Sequence, residues 1–438
     1  MSYSEEVKDK SEWNTYKLDD VYDFSSGLSK SSKEFGFGYP FVTFKDVFYN
    51  YFIPQELTEL ANTTEKERVT CSVMRGDVFL TRTSETMDEL GKSSVAIKDY
   101  PEATFNGFTK RLRPNGKIEV YPEYAGYYFR SPKFRAEINS MATMTTRASL
   151  NNDMMARLKI VLPKIETQKS IASILSSLDS KIELNNEINK TLEEMAQALF
   201  KRWFIDFEFP NEDGEPYKTS GGEMVESELG MIPKGWKSGV LGELIKVQNG
   251  YAFKSKDLND EGNIRVIKIK NISNNSVNVN TSQFITNEIY RNIDEKFKIY
   301  SGDLLIAMTG AEVGKIGIVP KLDEILMLNQ RVGKIQEVKK GGKAYAFNMM
   351  IENTFKEKVL SIASGSAQPN ISASGIENIK LVIADDIVML KFSGLVDNFI
   401  KRKCENDYET NMLSNLRDLL LPKLMSGEIK VEDIEASL

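Results

Sequence analysis

Residues 177–200 read SLDSKIELNNEINKTLEEMAQALF. Apolar residues recur on a heptad through and before this stretch, which predicts a helix with a seam for a second helix. The first seam position holds Ile171, Leu178, Leu192 and Leu199, and the second holds Ile174, Ile188 and Met195. Asn185 interrupts the first position. A buried amide in a seam lowers stability but fixes register and orientation, so the stretch predicts a helix that is paired with another.

A second helix with the same interruption lies near the end of the chain, at 398–421 (NFIKRKCENDYETNMLSNLRDLLL). Its predicted seams hold Phe392, Phe399, Leu413 and Leu420 at the first position, with Leu395 and Leu416 at the second. Asn406 is 221 residues after Asn185. Two copies of one helix related by a two-fold would run antiparallel, and we expect Asn185 and Asn406 to meet and set the register. Charged residues at other seam positions predict an imperfect zipper. The alternative is that each helix packs only on its own domain.

The rest of the chain is also an internal two-copy repeat. At a shift of about 223 residues, Gly27 matches Gly250 and Asn106 matches Asn329, and RGDVFLTRT (75–83) aligns with SGDLLIAMT (301–309). Short β-branched runs separated by Gly, Asn and Asp predict strands and turns. We therefore predict an α+β protein with two similar mixed α/β domains and two long helices in an antiparallel coiled coil. The predicted boundaries are 1–160 and 236–382 for the mixed domains, 161–208 and 383–438 for the helical segments, and 209–235 for an acidic linker.

The composition excludes several classes of function. The chain has 438 residues and no histidine, which excludes Ser-His-Asp and Cys-His catalysis and His-ligated zinc. Its two cysteines suggest neither a disulfide framework nor a metal site. No apolar run approaches the ~20 residues that span a bilayer, and the polar, acidic start does not resemble a secretory signal. These features predict a cytoplasmic protein without a membrane anchor.

The net charge of −6 is unevenly distributed. Residues 106–160 contain 10 Lys/Arg and 4 Asp/Glu, and residues 236–382 contain 20 and 15, giving +6 and +5. Residues 206–230 contain 8 acids and one lysine, giving −7. Two basic regions separated by an acidic strip are compatible with DNA contact, because the local field matters more than the sum.

The chain resembles the specificity (S) subunit of type I restriction-modification systems. The resemblance covers nearly the whole chain. It rests on the paired architecture and on the amino-acid sequences of three segments: 162–207 (LPKIETQ…KRWFIDF), 365–383 (GSAQPNISASGIENIKLVI) and 416–429 (LRDLLLPKLMSGEI).

The resemblance implies that each mixed domain is a target recognition domain reading one half of a bipartite double-stranded DNA sequence. It also implies that the helices set the spacing and dock methyltransferase (M) subunits, two of them by expectation. S-adenosylmethionine would belong to the M subunits and ATP to the restriction (R) subunits, and Mg would also be held by partner subunits. The S subunit itself would be non-catalytic and hold no cofactor or metal.

Enzymatic motifs are absent from the sequence. GAEVGKIG (310–317) has three residues where a P-loop needs four, and neither a GxGxxG nor an adenine-methylation motif occurs. Two other hypotheses remain open: an enzyme with an unfamiliar site, and a structural adaptor whose twin domains bind protein.

DNA contacts require Lys or Arg for phosphates and forked side chains for base edges. The candidates in the first mixed domain are Arg82, Lys92, Lys110, Arg111, Arg113 and Arg147, and those in the second are Lys254, Lys268, Lys270, Lys315, Arg331 and Gln368. An ordinary solvated charge is the alternative for each. By resemblance, QPNIS (368–372) is expected to shape a loop or contact the DNA backbone. Its counterpart in the first domain, RASLN (147–151), differs in sequence from that motif.

KRWFIDF (201–207) places aromatic residues at the end of the first long helix. Trp203 and Phe204 either pack on a neighbouring domain or form a docking surface for an M subunit.

Overall fold

The computed structural model describes residues 13–84, 89–141, 148–363 and 369–435. The chain divides into two compact units, one from Met1–Ser180 with Leu413–Leu438 and the other from Lys181–Met412. Each unit contains one mixed domain, and each long helix contributes residues to both units.

The first mixed domain joins short strands and short helices. Its strands are β1 (Asn14–Lys17), β2 (Tyr22–Ser26), β3 (Phe35–Val42), β4 (Leu60–Ala61), β5 (Val78–Thr81), β6 (Thr83–Ser84), β7 (Ser93–Val95), β8 (Thr104–Phe105), β9 (Thr109–Pro114), β10 (Ala148–Ser149) and β11 (Lys159–Leu162). Its helices are α1 (Leu18–Val21), α2 (Phe44–Tyr49), α3 (Glu65–Thr70), α4 (Pro122–Tyr128), α5 (Pro132–Met141) and α6 (Asn152–Arg157). Capping boxes at Thr43 and Thr64 start α2 and α3 by satisfying their first backbone N–H groups.

The first long helix, α7 (Ile165–Phe200), follows and ends in a π-helical turn at Lys201–Ile205. The second mixed domain repeats the pattern of the first. Its strands are β12 (Met224–Ser227), β13 (Gly230–Pro233), β14 (Lys237–Val240), β15 (Ile245–Asn249), β16 (Ile264–Ile267), β17 (Ile272–Ser273), β18 (Asn275–Val277), β19 (Gln283–Ile285), β20 (Lys298–Ile299), β21 (Leu304–Ala307), β22 (Ile316–Ile318), β23 (Ile325–Leu328), β24 (Val332–Glu337) and β25 (Lys380–Ile383). The remaining helices are α8 (Asn287–Arg291), α9 (Gly342–Ile351), α10 (Asn353–Ala363), α11 (Ala373–Glu377), α12 (Asp386–Ser426) and α13 (Val431–Glu435).

The sheet topology confirms the predicted repeat. The main sheet has the order β2-β9-β5-β7 in the first domain and β15-β24-β21-β22 in the second, where β18 and β17 extend it. A smaller sheet has the order β4-β3-β8 in the first and β19-β16-β23-β20 in the second. The opening strand of each domain pairs antiparallel with the closing one, β1 with β11 and β14 with β25. Each domain is therefore closed by strands from its two ends, just before a long helix begins.

One close backbone approach recurs in both domains and explains a pair of matched glycines. A Cβ on Gly27 would lie 2.3 Å from the carbonyl oxygen of Asn106, and a Cβ on Gly250 would lie 2.3 Å from that of Asn329. Real Cβ atoms essentially never approach another heavy atom so closely, so both positions require glycine. The matches that revealed the repeat in the sequence therefore mark the same contact in space.

Replacing Gly250 by alanine is expected to destabilise the second domain by about 1–3 kcal/mol, because the new methyl group overpacks against fixed backbone. Thermal unfolding of the purified chain measures the effect. Gly394→Ala is the matched control, since a Cβ there meets nothing within 4 Å and alanine favours a helix interior by up to about 1 kcal/mol. Equal melting temperatures for the two variants would contradict the assigned contact.

The two long helices run antiparallel, as predicted. In the second unit, Asn185 Nδ2 donates to the Glu409 carboxylate at 2.9 Å, and Asn406 Nδ2 donates to Asn189 Oδ1 at 2.8 Å. In the first unit, Arg417 pairs with Asp179 at 2.7 Å. Ascending numbers on α7 meet descending numbers on α12, which is the antiparallel order.

The prediction that Asn185 and Asn406 meet was wrong by about one helical turn. Asn185 and Asn406 are both buried, at 0% and 1% exposure, but Asn406 bonds Asn189 and Asn185 bonds Glu409. Asn406 therefore lies opposite Asn189, and Asn185 lies opposite Glu409, so the matched amides do not face each other. Polar pairs still occupy the centre of the helix pair, where buried amides fix register.

The second seam position also differs from the prediction. Met195, Leu395 and Leu416 are 51%, 46% and 43% exposed. The buried residues next to two of them are Ala196 and Val396. The heptad drifts against the 3.6-residue period of a helix, and α12 also buries Phe392, Val396 and Ile400 in the core of the second domain. Each helix therefore both pairs with its twin and packs on its own domain.

Asn406→Ala is expected to lower the free energy of unfolding by about 1–3 kcal/mol, because Asn189 loses its buried hydrogen-bond partner. Asn186→Ala is the control, since Asn186 is exposed and surface changes usually stay within about 0.5 kcal/mol. Denaturant unfolding compares the two variants. If Asn406→Ala is as stable as Asn186→Ala, the central polar pairs do not stabilise the helix pair.

The acidic stretch 209–235 is ordered. It contains the hairpin β12–β13. Phe209 stacks on Tyr217 and Trp236 with ring centroids 4.6 and 4.9 Å apart. These rings belong to the core of the second unit or pack against it, so the stretch joins that unit through its own apolar contacts.

Candidate nucleic-acid interface

A short loop led by an asparagine occupies matched places in both mixed domains. We call residues 106–108 and 329–331 the Asn loops. Asn106 Oδ1 accepts the N–H of Phe108 at 2.6 Å, and Asn329 Oδ1 accepts the N–H of Arg331 at 3.2 Å. Such bonds between an asparagine side chain and the backbone two residues on stabilise a turn. Each Asn loop therefore holds its third residue on a defined backbone.

The surroundings of the first Asn loop include a predicted DNA contact. The N–H of Arg82 donates to the carbonyl of Phe108 at 2.8 Å, and the N–H of Leu150 donates to the carbonyl of Arg82 at 2.9 Å. The Arg82 side chain is exposed. Arg147, another predicted contact, lies outside the described residues.

The second Asn loop has the same neighbours. The N–H of Met308 donates to the carbonyl of Arg331 at 3.0 Å, and the N–H of Ile371 donates to the carbonyl of Met308 at 2.9 Å. Gln368, the predicted contact in this segment, lies outside the described residues. In both domains one residue, Arg82 or Met308, therefore bonds the Asn loop on one side and the segment before the closing strand on the other.

An open cleft at the second Asn loop brings three predicted contacts together. Its lining includes the cations Lys268, Lys270 and Arg331 with the amides Asn329 and Gln330. The other lining residues are Phe253, Ser255, Leu258 and Ile269, so no carboxylate lines it within the described ranges. Lys254 is exposed and lies between two lining residues. Cations for phosphates and forked amides or guanidinium groups for bases are what a DNA surface requires.

In each mixed domain one candidate lysine has a cationic neighbour. Burial lowers the pKa of Lys268, and the neighbouring charge of Lys270 lowers it further. Burial also lowers the pKa of Lys110, with an added contribution from Arg82. Burial is the larger cause of both pKa shifts, and repulsion from the neighbouring cation is the smaller one.

Three candidates in the first domain are occupied by contacts inside the domain. Lys110 donates to Ser26 Oγ and Asn152 Oδ1 at 2.8 and 2.9 Å, and is 7% exposed. Arg111, also 7% exposed, donates to the carbonyl of Ser72 at 2.6 Å.

Arg113 holds the Asp77 carboxylate with two bonds of 2.7 and 2.6 Å. Asp77 is fully buried. Residues 109–113 (TKRLR) thus lie in strand β9, where alternation places Arg111 and Arg113 on one face, but their charges are used to hold the domain together.

Lys92 and Lys315 are structural counterparts at the ends of matched turns. The N–H of Thr81 donates to the carbonyl of Lys92, and the N–H of Ala307 donates to that of Lys315, both at 2.8 Å. Lys92 is half-buried, while Lys315 is exposed and forms an ion pair with Glu312. Their contact with DNA stays a prediction.

Phe108 and Gln330 lie among the predicted contacts but were not candidates from the sequence. Phe108 is 62% exposed and matches Arg331 at the repeat offset. Gln330 lines the cleft. The match between Asn106 and Asn329 was the signal that could have found both, because it aligns the residues that follow.

The burial of Trp203 and Phe204 favours the first of their two alternatives, packing on a neighbouring domain, over docking of an M subunit. Each is 5% exposed, and the Phe204 ring lies 4.9 Å from the rings of both Tyr345 and Phe392. The Trp203 ring lies 5.9 Å from that of Phe392. Both side chains are part of the core of the second unit, so they are not available to a partner.

The described residues contain no group of three or more Cys, Asp or Glu that could hold a metal ion. None of their helices combines the length and apolar character needed to cross a membrane.

Comparison with known proteins gives a consistent result. The family model described as the type I restriction modification DNA specificity domain matches residues 10–194 and 233–385. The MjaIX specificity subunit of Methanocaldococcus jannaschii is 29% identical over 97% of this chain and 95% of its own length. The HindI specificity subunit of Haemophilus influenzae is 24% identical over 96% of this chain and 100% of its own. The crystal structure of an S subunit from M. genitalium shares the fold, with a TM-score of 0.56, 14% identity, and coverage of 97% and 99%.

Proposed function

Because this chain belongs to the family of type I restriction-modification DNA specificity subunits, we propose that its two mixed domains read the two halves of a bipartite DNA target. The chain is a specificity subunit with two recognition domains rather than a catalytic subunit. The repeat supports two separate readers, since the same Asn loop and the same backbone contacts occur in each domain.

The observation that carries the proposal is the basic cleft of the second domain. Lys268, Lys270 and Arg331 come from two separate segments of the sequence and line one open surface with Asn329 and Gln330. Lys268 and Lys270 supply phosphate contacts, and the forked groups, Arg331 among them, supply base contacts. In the first domain, Arg82 and Lys92 lie near the equivalent loop and have the same proposed role.

The chemistry of the system belongs to partner subunits in this proposal. M subunits, two by expectation, bind S-adenosylmethionine and methylate adenine, and R subunits use ATP and Mg to translocate and cleave DNA. This chain holds no cofactor and directs the partners to the target. The alternative of a twin-domain protein adaptor differs in one measurable way, which is the dependence of DNA binding on salt.

A salt titration of the assembled S–M complex tests the proposal against that alternative. A reader with 6–10 phosphate contacts loses roughly 10³–10⁵ in affinity between 50 and 200 mM salt. We expect a loss in this range on DNA that carries the target. Weak or salt-insensitive binding would favour the adaptor.

The helix pair sets the gap between half-sites in this proposal. Inserting seven residues into each long helix, near Asn185 and near its partner Glu409, keeps the heptad and adds about 10 Å at 1.5 Å per residue. The unread gap should grow by about 3 base pairs at 3.4 Å each. Methylated-base mapping with the variant measures the gap.

An insertion in one helix only is the matched control, and it should abolish methylation because the helix pair loses its register. An unchanged gap in the double insertion would contradict the role of the helices as a ruler.

A further inference from the structure

Equivalent positions of the two Asn loops carry chemically opposite side chains. Position 108 is phenylalanine, and position 331, at the repeat offset of 223, is arginine. The backbone around both is the same. In each loop the preceding Asn side chain accepts the N–H of this residue, and its carbonyl accepts an N–H from the adjacent strand segment. The two domains thus present different chemistry on one scaffold.

Both loops are held by the same set of backbone contacts. The Asn carbonyl also accepts the N–H of the residue after the loop, Thr109 at 3.0 Å and Val332 at 2.9 Å. On the other side, Gly27 and Gly250 allow the close backbone approach that only glycine permits. A side chain on such a fixed loop can be placed against a base edge with little loss of entropy on binding.

Both side chains point away from the protein core. Phe108 is 62% exposed, and Arg331 is exposed and lines the basic cleft. Phe108 is bonded through its backbone to Arg82, an exposed cation. An exposed aromatic ring, on a loop whose backbone bonds an exposed cation and which matches a cationic cleft, is placed for contact with an apolar group on a polyanion.

Resting on the proposed function, we propose that positions 108 and 331 are paired specificity-determining positions. Arg331 reads a guanine in the half-site of the second domain, because its forked donors match the O6 and N7 acceptors in the major groove. Phe108 reads a thymine in the half-site of the first domain by packing on the C5-methyl group, the apolar feature of that groove.

Modified DNA tests the proposal with the wild-type S–M complex, so no variant needs to fold. Each thymine of the mapped first half-site is replaced in turn by deoxyuridine, which removes only the methyl group. Each guanine of the second half-site is replaced by 7-deazaguanine, which removes N7. One substitution in each half-site should weaken binding by about five- to 100-fold, the range of one base contact.

The variants Phe108→Ala and Arg331→Ala, each combined with the modified bases, give one protein–DNA double-mutant cycle for each half-site. Phe108→Ala should bind thymine and deoxyuridine DNA equally, and Arg331→Ala should bind guanine and 7-deazaguanine DNA equally. Lys270→Ala is the control, since a phosphate contact lowers affinity for all sequences alike and leaves both preferences unchanged.

Several outcomes would overturn the proposal. The first is that no thymine substitution changes the affinity of the wild-type complex. The second is that Phe108→Ala still discriminates thymine from deoxyuridine DNA as well as the wild type. The third is that Phe108→Ala lowers the affinity for all sequences equally, which is the result expected of a ring wedged between base pairs. Failure of the wild-type complex to bind its mapped target at all would instead reject the proposed function.

Discussion

Changing Lys254, Lys268 and Lys270 to alanine together is expected to lower the affinity of the S–M complex for its target by about 10²-fold at 0.15 M salt. Each phosphate contact contributes about 0.9 to the slope of log K against log salt, so the slope should become shallower by up to about 2.7. The three lysines lie in or beside the cleft at the second Asn loop. Equilibrium binding at several salt concentrations measures both quantities.

The matched control changes the same charge elsewhere on the second domain. Lys237, Lys246 and Lys380 are exposed, pair with carboxylates, and do not line the cleft. Replacing these three by alanine should leave affinity and slope within a few-fold of the wild type. Equal losses in the two triple variants would mean that net charge, rather than the cleft, determines binding.

Phe204→Ala is expected to lower the free energy of unfolding by about 3–5 kcal/mol, because it empties a site inside a cluster of aromatic rings. The ring contacts Trp236, Tyr345 and Phe392 with centroids 4.9–5.8 Å apart. For a unit of this size the melting temperature should fall by roughly 10 °C. Calorimetry or circular dichroism of the purified chain measures the change.

Ile205→Ala is the neighbouring control, since Ile205 is 56% exposed and its truncation should cost little. If Phe204→Ala instead melted like the wild type but failed to co-purify with the M subunits, the docking interpretation that its burial argues against would be restored.

The sequence was sufficient for the architecture because its signals are periodic. The heptads of α7 and α12 and the offset near 223 identified two helices and two similar domains, and the structure contains both. Periodicity defines which face of a helix is buried but not how far two helices slide along each other. That is why Asn406 meets Asn189 and not Asn185.

The candidate contacts were harder to predict because charges are used in several ways. The arginines of TKRLR suit a DNA surface as well as an internal role, and Ser72 and Asp77, which engage them, lie nearly 40 residues away in the sequence. Such long-range pairing has no local signal. Phe108 was missed for the opposite reason, since an apolar residue carries no expectation of DNA contact until its twin, Arg331, is seen on the same loop.

Two mixed domains that read two separate half-sites should leave a bipartite pattern of methylation. This pattern can be measured by mapping methylated adenines across the genome of cells that contain this chain and its M subunits, against cells in which this chain is deleted. We expect a set of sites that depends on the chain and shares two short specific sequences separated by a gap of fixed length and no base preference. A single continuous motif, or methylation unchanged by the deletion, would contradict it.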